Sequence, residues 1–390
     1  MTTAEAVAIP PRRTGRLAVL DGCRFVAAMM VVSYHLIGIN SVAWTDQTSK
    51  IFPTVHFVAQ YGWLGVELFF LISGFVICMS AWGRGLAEFV VSRVVRLYPA
   101  YWVAIVLTMA VLFIWPNPDV PRPNLTDAAI NLTMLQSGLG VRSVDAAYWS
   151  LWCELQFYAL FAVVVWRGLT YRRAIVFCLA WTAASTAALA TQNASVEALL
   201  SPDYASFFIG GIAFYLIRRF GPNLILWGLV AGSFLLGLRP TVGITTGSAQ
   251  RLVGQPIPVW GTVFTLAIFY LLMAAIALGY LDRVHWRGLT VLGAMTYPLY
   301  LLHEFIGWSW LARMHHLPHW AALSLTVGML LAISWLIHRF VERPGSPVLK
   351  RALTDALKQI RTNGAALPKP RESQEILDLP GEPRPATVGD

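Results

Sequence analysis

The sequence predicts an all-α polytopic membrane protein, a bundle of about ten transmembrane helices with both termini in the cytoplasm. Hydrophobic residues make up 57% of the 390-residue chain and charged residues only 13%, whereas a soluble domain has about a quarter of its residues charged. The mean hydropathy is +0.60. Apolar runs of 18 or more residues recur along most of the chain, and each is long enough to cross a bilayer as a helix.

Ten apolar stretches account for this prediction. The first follows three arginines, as the core of a signal peptide would, but it is too long for such a core and lacks a small-residue cleavage site. We therefore expect it to be retained as a membrane span. The predicted spans are 20–39, 62–81, 98–116, 148–166, 174–190, 203–217, 223–238, 259–279, 290–309 and 320–338.

The distribution of basic residues sets the predicted orientation. Of the 29 Lys and Arg residues, 22 lie in the termini and loops on one side of the ten spans, six lie in loops on the other side, and Arg24 lies within a span. Because cytoplasmic loops carry an excess of basic residues, we predict a multi-pass protein of the plasma or inner membrane. The net charge of +9 comes with no zinc-finger spacing, RNA-binding motif or long basic tract, so we expect no nucleic-acid partner.

Three parts of the chain are expected: a cytoplasmic segment at 1–16, a transmembrane domain at 17–344 and a cytoplasmic tail at 345–390. In the tail, "SPVLKRALTDALKQI" has the pattern of a basic amphipathic helix that lies on membrane lipids. The Pro-rich remainder of the tail is expected to be disordered. Two long loops, 40–61 and 117–147, are expected outside the cell. Such loops often carry ligand-binding groups, but a role as plain connectors fits the sequence equally well.

The cysteines do not indicate a site. All four lie within apolar spans, at spacings that match neither a metal site nor a disulfide framework. We expect them to pack as small hydrophobic residues, and we predict no bound metal. They are Cys23, Cys78, Cys153 and Cys178.

The first span carries ionisable residues, which are rare inside a membrane and usually functional. Arg24 and His35 are eleven residues apart, which places both on one helix face about 16 Å apart along the axis. An arginine near the inner surface suits a phosphate group, because its fork of donors pairs with anionic oxygens. A histidine at greater depth suits a general base. A lone histidine would more often be structural, but the face shared with Arg24 favours a functional role.

Four more ionisable residues are predicted at about the depth of His35. Each lies five or six residues below the outer edge of its span, so that all five groups fall within about 5 Å of depth. They could neutralise one another and merely hold helices together. We prefer a polar chamber open to the outside, in which Glu154 or Glu67 orients or polarises His35. The four residues are Glu67, Glu154, His303 and Glu304.

Two arginines precede the third span on one face of a helix, because Arg93 and Arg96 are three residues apart in "RVVRLYPAYW". Their position fits the positive-inside rule alone. Together with Arg24, which enters from the same side, they could also bind a phosphate-rich ligand.

Six motifs occur in a fixed order between about residue 17 and residue 344. They are Arg-x10-His (Arg24 and His35), "GVELFFLISGF" (65–75), "RVVRLYPAYW" (93–102), "WSLWCELQFYALF" (149–161), "YPLYLLH" (297–303) and "VERP" (341–344). In this order they resemble the membrane-bound acyltransferase-3 family, which O-acylates glycans, lipids and some antibiotics. The Leu-Trp-Cys before Glu154 departs from the small or polar residues of many members, which would reshape the acceptor pocket. Some members carry an SGNH-type esterase domain; the tail has no Gly-Asp-Ser motif, so we expect the stand-alone form.

The resemblance implies an acyl-CoA-dependent O-acyltransferase. It makes His35 the catalytic residue, and the predicted depths of Glu154 and Glu67 keep these two residues as its candidate catalytic partners. It also implies that Arg24, Arg93 and Arg96 bind the donor. Acetyl-CoA is the expected co-substrate, and no permanently bound cofactor is expected. The candidates for the acceptor chamber are Tyr148, Trp149, Tyr300, His303 and Glu304.

The donor and the acceptor are expected on opposite sides of the membrane, because acyl-CoA is made in the cytoplasm and many acceptors of the family are outside. A pantetheine arm that threads from the arginines to His35 would join them. His35 would then deprotonate the acceptor hydroxyl or carry the acyl group itself. The expected acceptor is an envelope or secreted glycan or glycolipid, and the alternative is a small molecule such as a macrolide antibiotic. A proton-coupled transporter would instead show related halves or paired broken helices, and the sequence shows neither.

Overall fold

The computed structural model describes residues 17–365, apart from residue 42 and residues 117–119 and 121–123. These residues form helices, turns and loops with no strand among them, which confirms the predicted all-α class. The segment 1–16 and the Pro-rich end of the tail lie outside the described residues, so the interpretations of both stay predictions.

The described residues contain seventeen α-helices, joined by short helical turns and loops. In order they are α1 (Ala18–Ser33), α2 (Thr48–Ile51), α3 (Pro53–Ala59), α4 (Gly65–Ala81), α5 (Leu86–Ile114), α6 (Leu125–Asn131), α7 (Trp149–Trp166), α8 (Tyr171–Thr191), α9 (Ala194–Leu200), α10 (Pro202–Phe220), α11 (Leu224–Ile244), α12 (Gln250–Val253), α13 (Val259–Leu278), α14 (Arg287–Leu302), α15 (Phe305–Leu311), α16 (His319–Ile337) and α17 (Arg343–Ala365).

Nine helical stretches of the described chain are long and apolar enough to cross a membrane, and they correspond to nine of the ten predicted spans. The remaining predicted span, 290–309, is divided between α14 and α15, because His303 and Glu304 interrupt the helix. Neither half has the roughly 20 residues that a straight crossing needs. Large apolar side chains such as Phe113 and Leu271 are 78% and 70% exposed on the outside of the bundle, a surface that suits lipid.

Glycines allow the central helices to approach closely. A Cβ at Gly74 of α4 would overlap the carbonyl oxygen of Phe208 in α10, and a Cβ at Gly211 would overlap the carbonyl oxygen of Leu71. At Gly293 of α14, an added Cβ would overlap a side chain of α1. Small residues at such crossings are typical of membrane helices. These contacts bring α1, α4, α10 and α14 together at the centre of the bundle.

Within the part of the chain that the structure describes, three long helices end in a turn of π-helix. The turn after α1 covers Tyr34–Gly38, the turn after α11 covers Thr245–Ala249, and the turn after α16 covers His338–Glu342. A π-turn inside a helix often marks a functional site. Here the first turn holds His35 and the last holds Glu342, so both coincide with motifs of the sequence.

The segments between the predicted spans are more helical than expected. The loop 40–61 contains α2 and α3, and the loop 117–147 contains α6. α5 begins at Leu86, twelve residues before the predicted span, so Arg93 and Arg96 lie within a continuous helix. α17 confirms the predicted helix in the tail, whereas its contact with lipid stays a prediction.

Candidate active site

His35 lies in the π-turn after α1 and contacts residues at the break between α14 and α15. Its Nδ1 lies 2.9 Å from the carbonyl oxygen of Val31 and 3.1 Å from Nε2 of His303. Its Nε2 lies 3.7 Å from Oε2 of Glu304. The indole N–H of Trp308 donates to the carbonyl oxygen of His35 at 2.9 Å. The imidazole is therefore held by residues from two separate parts of the chain.

These contacts determine where the protons lie when both imidazoles are neutral. Nδ1 of His303 lies 2.7 Å from the carbonyl oxygen of Tyr300. A carbonyl oxygen can only accept, so this Nδ1 carries the hydrogen and Nε2 of His303 is an acceptor. Nδ1 of His35 then faces two acceptors and must be the donor. Nε2 of His35 keeps its lone pair, which is the form of imidazole that can take a proton from a hydroxyl group.

Asp145 is a buried acid beside this pair that the sequence analysis missed. Its two carboxylate oxygens accept from the backbone N–H of Phe305 at 3.1 Å and of Ala147 at 3.0 Å, which ties the start of α15 to the turn before α7. Burial, followed by the nearby Glu304 carboxylate, raises the pKa of Asp145 to about 8. Asp145 lies outside every predicted span, so hydropathy gave no reason to include it. The sequence feature that could have indicated Asp145 is its position just before a helical turn, where Asp commonly caps the N-terminus.

His35 lines a cavity of about 270 Å³, which we call the His35 chamber. Its wall combines aromatic side chains with the carboxyl group of Glu67. Glu67 is buried, and its Oε2 has no hydrogen-bond partner among the described residues. An unpaired buried polar group is costly, which makes Glu67 the candidate in this wall for a hydrogen bond to a hydroxyl that enters the chamber. The aromatic residues of the wall are Tyr34, Trp63, Trp149, Tyr204 and Tyr300.

Arg24, Arg93 and Arg96 line a second cavity of about 320 Å³, which we call the arginine cavity. Arg24 approaches Asp21 at 4.0 Å and Arg96 approaches Glu342 at 3.9 Å, both longer than a close ion pair. Arg93 donates to two serine hydroxyls at 3.1 and 3.3 Å. Three guanidinium groups around one cavity suit a ligand that carries several phosphates. The structure thus brings together the three arginines that the sequence singled out.

Glu154 lines the arginine cavity and not the His35 chamber. Its Oε1 accepts from the hydroxyls of Ser73 at 2.7 Å and Tyr158 at 2.5 Å. The expectation that Glu154 shares a chamber with His35 is therefore wrong, because equal depth in two helices does not make their side chains point the same way. Among the described residues, His303 and Glu304 make the contacts that were expected of Glu154. A catalytic role for Glu154 stays a prediction.

The other predicted chamber residues have different positions. Trp149 lines the His35 chamber, while His303 and Glu304 contact His35 directly. Tyr148 is fully buried, lines neither cavity, and donates to a backbone carbonyl at 3.3 Å. Tyr300 lines both cavities, as does Val66. The two cavities therefore adjoin at this pair of residues.

His35, His303 and Glu304 each offer one ligand atom, and these atoms lie within 4.8 Å of one another. The three could hold a cation only if the hydrogen bond between the two imidazoles were given up. The prediction that no metal is bound stays a prediction.

Known sequences share the range that holds both cavities. The sequence profile of the acyltransferase domain family Acyl_transf_3 matches residues 17–339. The chain is 26% identical to the acyltransferase MdmB of Streptomyces mycarofaciens, in a match that covers 87% of this chain and 94% of that protein.

Two other relatives match over shorter ranges. The exopolysaccharide production protein ExoZ of Rhizobium meliloti is 26% identical over 63% of this chain and 76% of its own length. The peptidoglycan O-acetyltransferase OatA of Listeria monocytogenes is 28% identical over 36% of this chain and 23% of its own length. No solved structure is detectably similar.

Proposed function

Because the chain belongs to the membrane-bound acyltransferase-3 family and is a multi-pass O-acyltransferase, we propose that it transfers an acetyl group from cytoplasmic acetyl-CoA to a hydroxyl of an envelope or secreted glycan or glycolipid. The observation that carries this proposal is the pair of adjoining cavities, one lined by three arginines and the other by His35. Relatives named as a peptidoglycan O-acetyltransferase and an exopolysaccharide production protein favour an acetyl group and a glycan.

The arginine cavity is the proposed donor site. Coenzyme A carries its phosphates at one end and its thiol at the other, joined by a long narrow arm. Arg24, Arg93 and Arg96 would pair with the phosphates. Apart from Glu154, the rest of the cavity wall is apolar or carries hydroxyls, as in Phe69 and Ser73, and suits the pantetheine arm. The positive-inside rule places the arginine end of this cavity toward the cytoplasm, where acyl-CoA is made.

The His35 chamber is the proposed site of transfer. In the direct route, Nε2 of His35 takes the proton of the acceptor hydroxyl, and the oxygen of that hydroxyl attacks the thioester carbonyl carbon. The carbon–sulfur bond breaks, an ester forms, and the CoA thiolate leaves with the proton from the imidazolium. Glu304, 3.7 Å from Nε2 of His35, would stabilise that imidazolium.

A covalent route uses the same nitrogen. Nε2 of His35 attacks the thioester, the carbon–sulfur bond breaks, and CoA leaves as the thiolate. The acetyl group then passes from Nε2 to the acceptor oxygen, and the proton of the acceptor hydroxyl passes through solvent to the thiolate, so that the neutral imidazole is regenerated. Both routes give the same products. Trapping an acetylated His35 by rapid acid quench in the absence of acceptor would identify the second route, and its absence at full donor occupancy would favour the first.

A small molecule such as a macrolide is the alternative acceptor. The His35 chamber supports this alternative because aromatic walls with few polar groups bind drug-sized ligands as well as sugars.

Membranes that contain the protein, incubated with acetyl-CoA labelled in the acetyl group, test the proposal. We expect base-labile label in the polysaccharide or glycolipid fraction, and none with membranes that lack the protein. Label confined to an added macrolide would support the alternative acceptor. If a folded protein left all fractions unlabelled, the proposed reaction would be wrong.

A further inference from the structure

Two side chains lie between the arginine cavity and the His35 chamber. Val66 of α4 and Tyr300 of α14 line both cavities, and each is only 7% exposed. A group that moves directly from one cavity to the other therefore passes a branched aliphatic side chain and an aromatic ring.

Tyr300 is fixed from several directions. Its hydroxyl lies 2.6 Å from Oγ of Ser150 and donates to the carbonyl oxygen of Ala147 at 3.1 Å. Its ring packs edge-on against Phe69 at a centroid distance of 5.6 Å and lies 5.5 Å from the ring of His303. The ring cannot swing aside without losing these contacts, so the passage has a rigid wall on this side.

We propose that Val66 and Tyr300 form a constriction that admits an unbranched acyl group and excludes a branched one, so that they determine which acyl-CoA is used. This inference rests on the proposed function, because it requires the thioester to travel from the arginine cavity to His35. A rigid opening selects by cross-section, and acetyl and other linear acyl groups have the same narrow cross-section as the end of the pantetheine arm. A methyl branch next to the carbonyl widens the group at the point that must enter first.

Butyryl-CoA and isobutyryl-CoA test the constriction, because they are isomers that differ in width and not in composition. The measurement is the ratio of their kcat/KM values, from labelled acyl transfer in membranes that contain the full chain. We expect the wild type to prefer butyryl-CoA at least tenfold, since even one misplaced methyl group in a fitted site costs about that much. Tyr300→Leu and Val66→Ala should each bring the ratio close to one.

The same two helices offer matched controls. Tyr297 of α14 and Val76 of α4 line the arginine cavity but not the His35 chamber. Tyr297→Leu and Val76→Ala remove the same atoms and should leave the isomer ratio unchanged, whatever they do to the KM of the donor. If Tyr300→Leu fails to accumulate in the membrane, Val66→Ala decides, because it shortens a side chain on a different helix.

The outcomes separate this inference from the function on which it rests. A wild type that transfers acetyl but does not distinguish the two isomers overturns the constriction alone. An unchanged ratio in both constriction variants overturns it as well. The wild type could also use neither isomer as a donor. In that case, isobutyryl transfer gained by Tyr300→Leu or Val66→Ala supports the constriction. If neither variant gains isobutyryl transfer, the constriction is overturned. A wild type that transfers no acetyl group overturns the proposed function and this inference together.

Discussion

Nε2 of His303 lies 3.1 Å from Nδ1 of His35, although the two residues are 268 positions apart in the chain. Because the carbonyl oxygen of Tyr300 holds the hydrogen on Nδ1 of His303, Nε2 of His303 can only accept. Together with the carbonyl oxygen of Val31, 2.9 Å from the same Nδ1, His303 fixes the tautomer of His35 and leaves the opposite nitrogen of that ring free. The base of the proposed reaction is thus oriented in part by a residue at the break between α14 and α15.

His303 is therefore expected to act as a positioning residue. His303→Phe keeps an aromatic ring but removes the acceptor, and should lower kcat roughly tenfold, the equivalent of one hydrogen bond of about 1.4 kcal/mol. The KM for acetyl-CoA should not change, because His303 lies outside the arginine cavity. His303→Asn retains an acceptor and should recover part of the loss. Equal losses in both variants, or a changed donor KM, would contradict a positioning role.

His35 itself is predicted to be essential for transfer. His35→Gln keeps a polar side chain but can neither take a proton near neutral pH nor carry an acyl group, and loss of a positioned base typically costs about 10²- to 10⁴-fold in rate. An interhelical hydrogen bond contributes only about 0.6 kcal/mol, so a packing role predicts a far smaller change. The measurement is transfer of labelled acetyl groups, with CoA affinity as the control for folding. Transfer near the wild-type rate would make His35 a packing residue.

Much of this arrangement could be predicted from the sequence. Hydropathy located nine spans, and the sequence singled out the three arginines that line one cavity and the histidine that lines the other. That Arg24 and His35 share one helix face stays a prediction. The sequence could not show that α14 stops at His303, because "YLLHEF" contains neither proline nor glycine. The contact between His35 and His303 depends on this break and on a π-turn, and neither changes the apolar pattern.

The predicted depth of a residue in the membrane did not show which cavity its side chain lines. Glu67 and Glu154 lie at similar predicted depths, yet they line different cavities. The direction in which a side chain points depends on how its helix is rotated against its neighbours, and close packing sets that rotation. α7 is apolar on almost every side. Its sequence therefore does not indicate which of its faces is turned toward the His35 chamber.

The donor site predicts a specific pattern of CoA affinity. Arg93→Ala and Arg96→Ala should each weaken binding roughly ten- to a hundredfold, because a hydrogen bond to a charged group typically contributes about 1.5–3 kcal/mol. Arg84→Ala is the matched control, since Arg84 is exposed just before α5 and lines neither cavity. Affinity can be measured in detergent. A folded double variant with unchanged affinity would leave these arginines with a topological role only.

The predicted orientation can be tested by cysteine labelling. The four native cysteines are buried and should react slowly with a membrane-impermeant maleimide. Lys50→Cys, in the loop predicted outside, should be labelled in intact spheroplasts, whereas Arg84→Cys should be labelled only after permeabilisation. Both sites are exposed, so access depends on the side of the membrane. Labelling of Arg84→Cys in intact spheroplasts would overturn the orientation and, with it, the access of cytoplasmic CoA to the arginine cavity.

The division between the two cavities predicts different roles for the two buried acids. Glu67 has an oxygen without a partner among the described residues and lines the His35 chamber, so Glu67→Gln should impair use of the acceptor. We expect a kcat/KM for the acceptor that is lower by up to about tenfold, as for loss of one hydrogen bond to a neutral group, with an unchanged KM for acetyl-CoA. Glu154→Gln keeps an oxygen for Ser73 and Tyr158 but removes a negative charge beside the arginines, so the KM for acetyl-CoA should fall. Steady-state kinetics with each substrate varied in turn would separate these effects. If both variants lowered kcat alike and left both KM values unchanged, the two carboxylates would serve one step, and the assignment of donor and acceptor to separate cavities would be wrong.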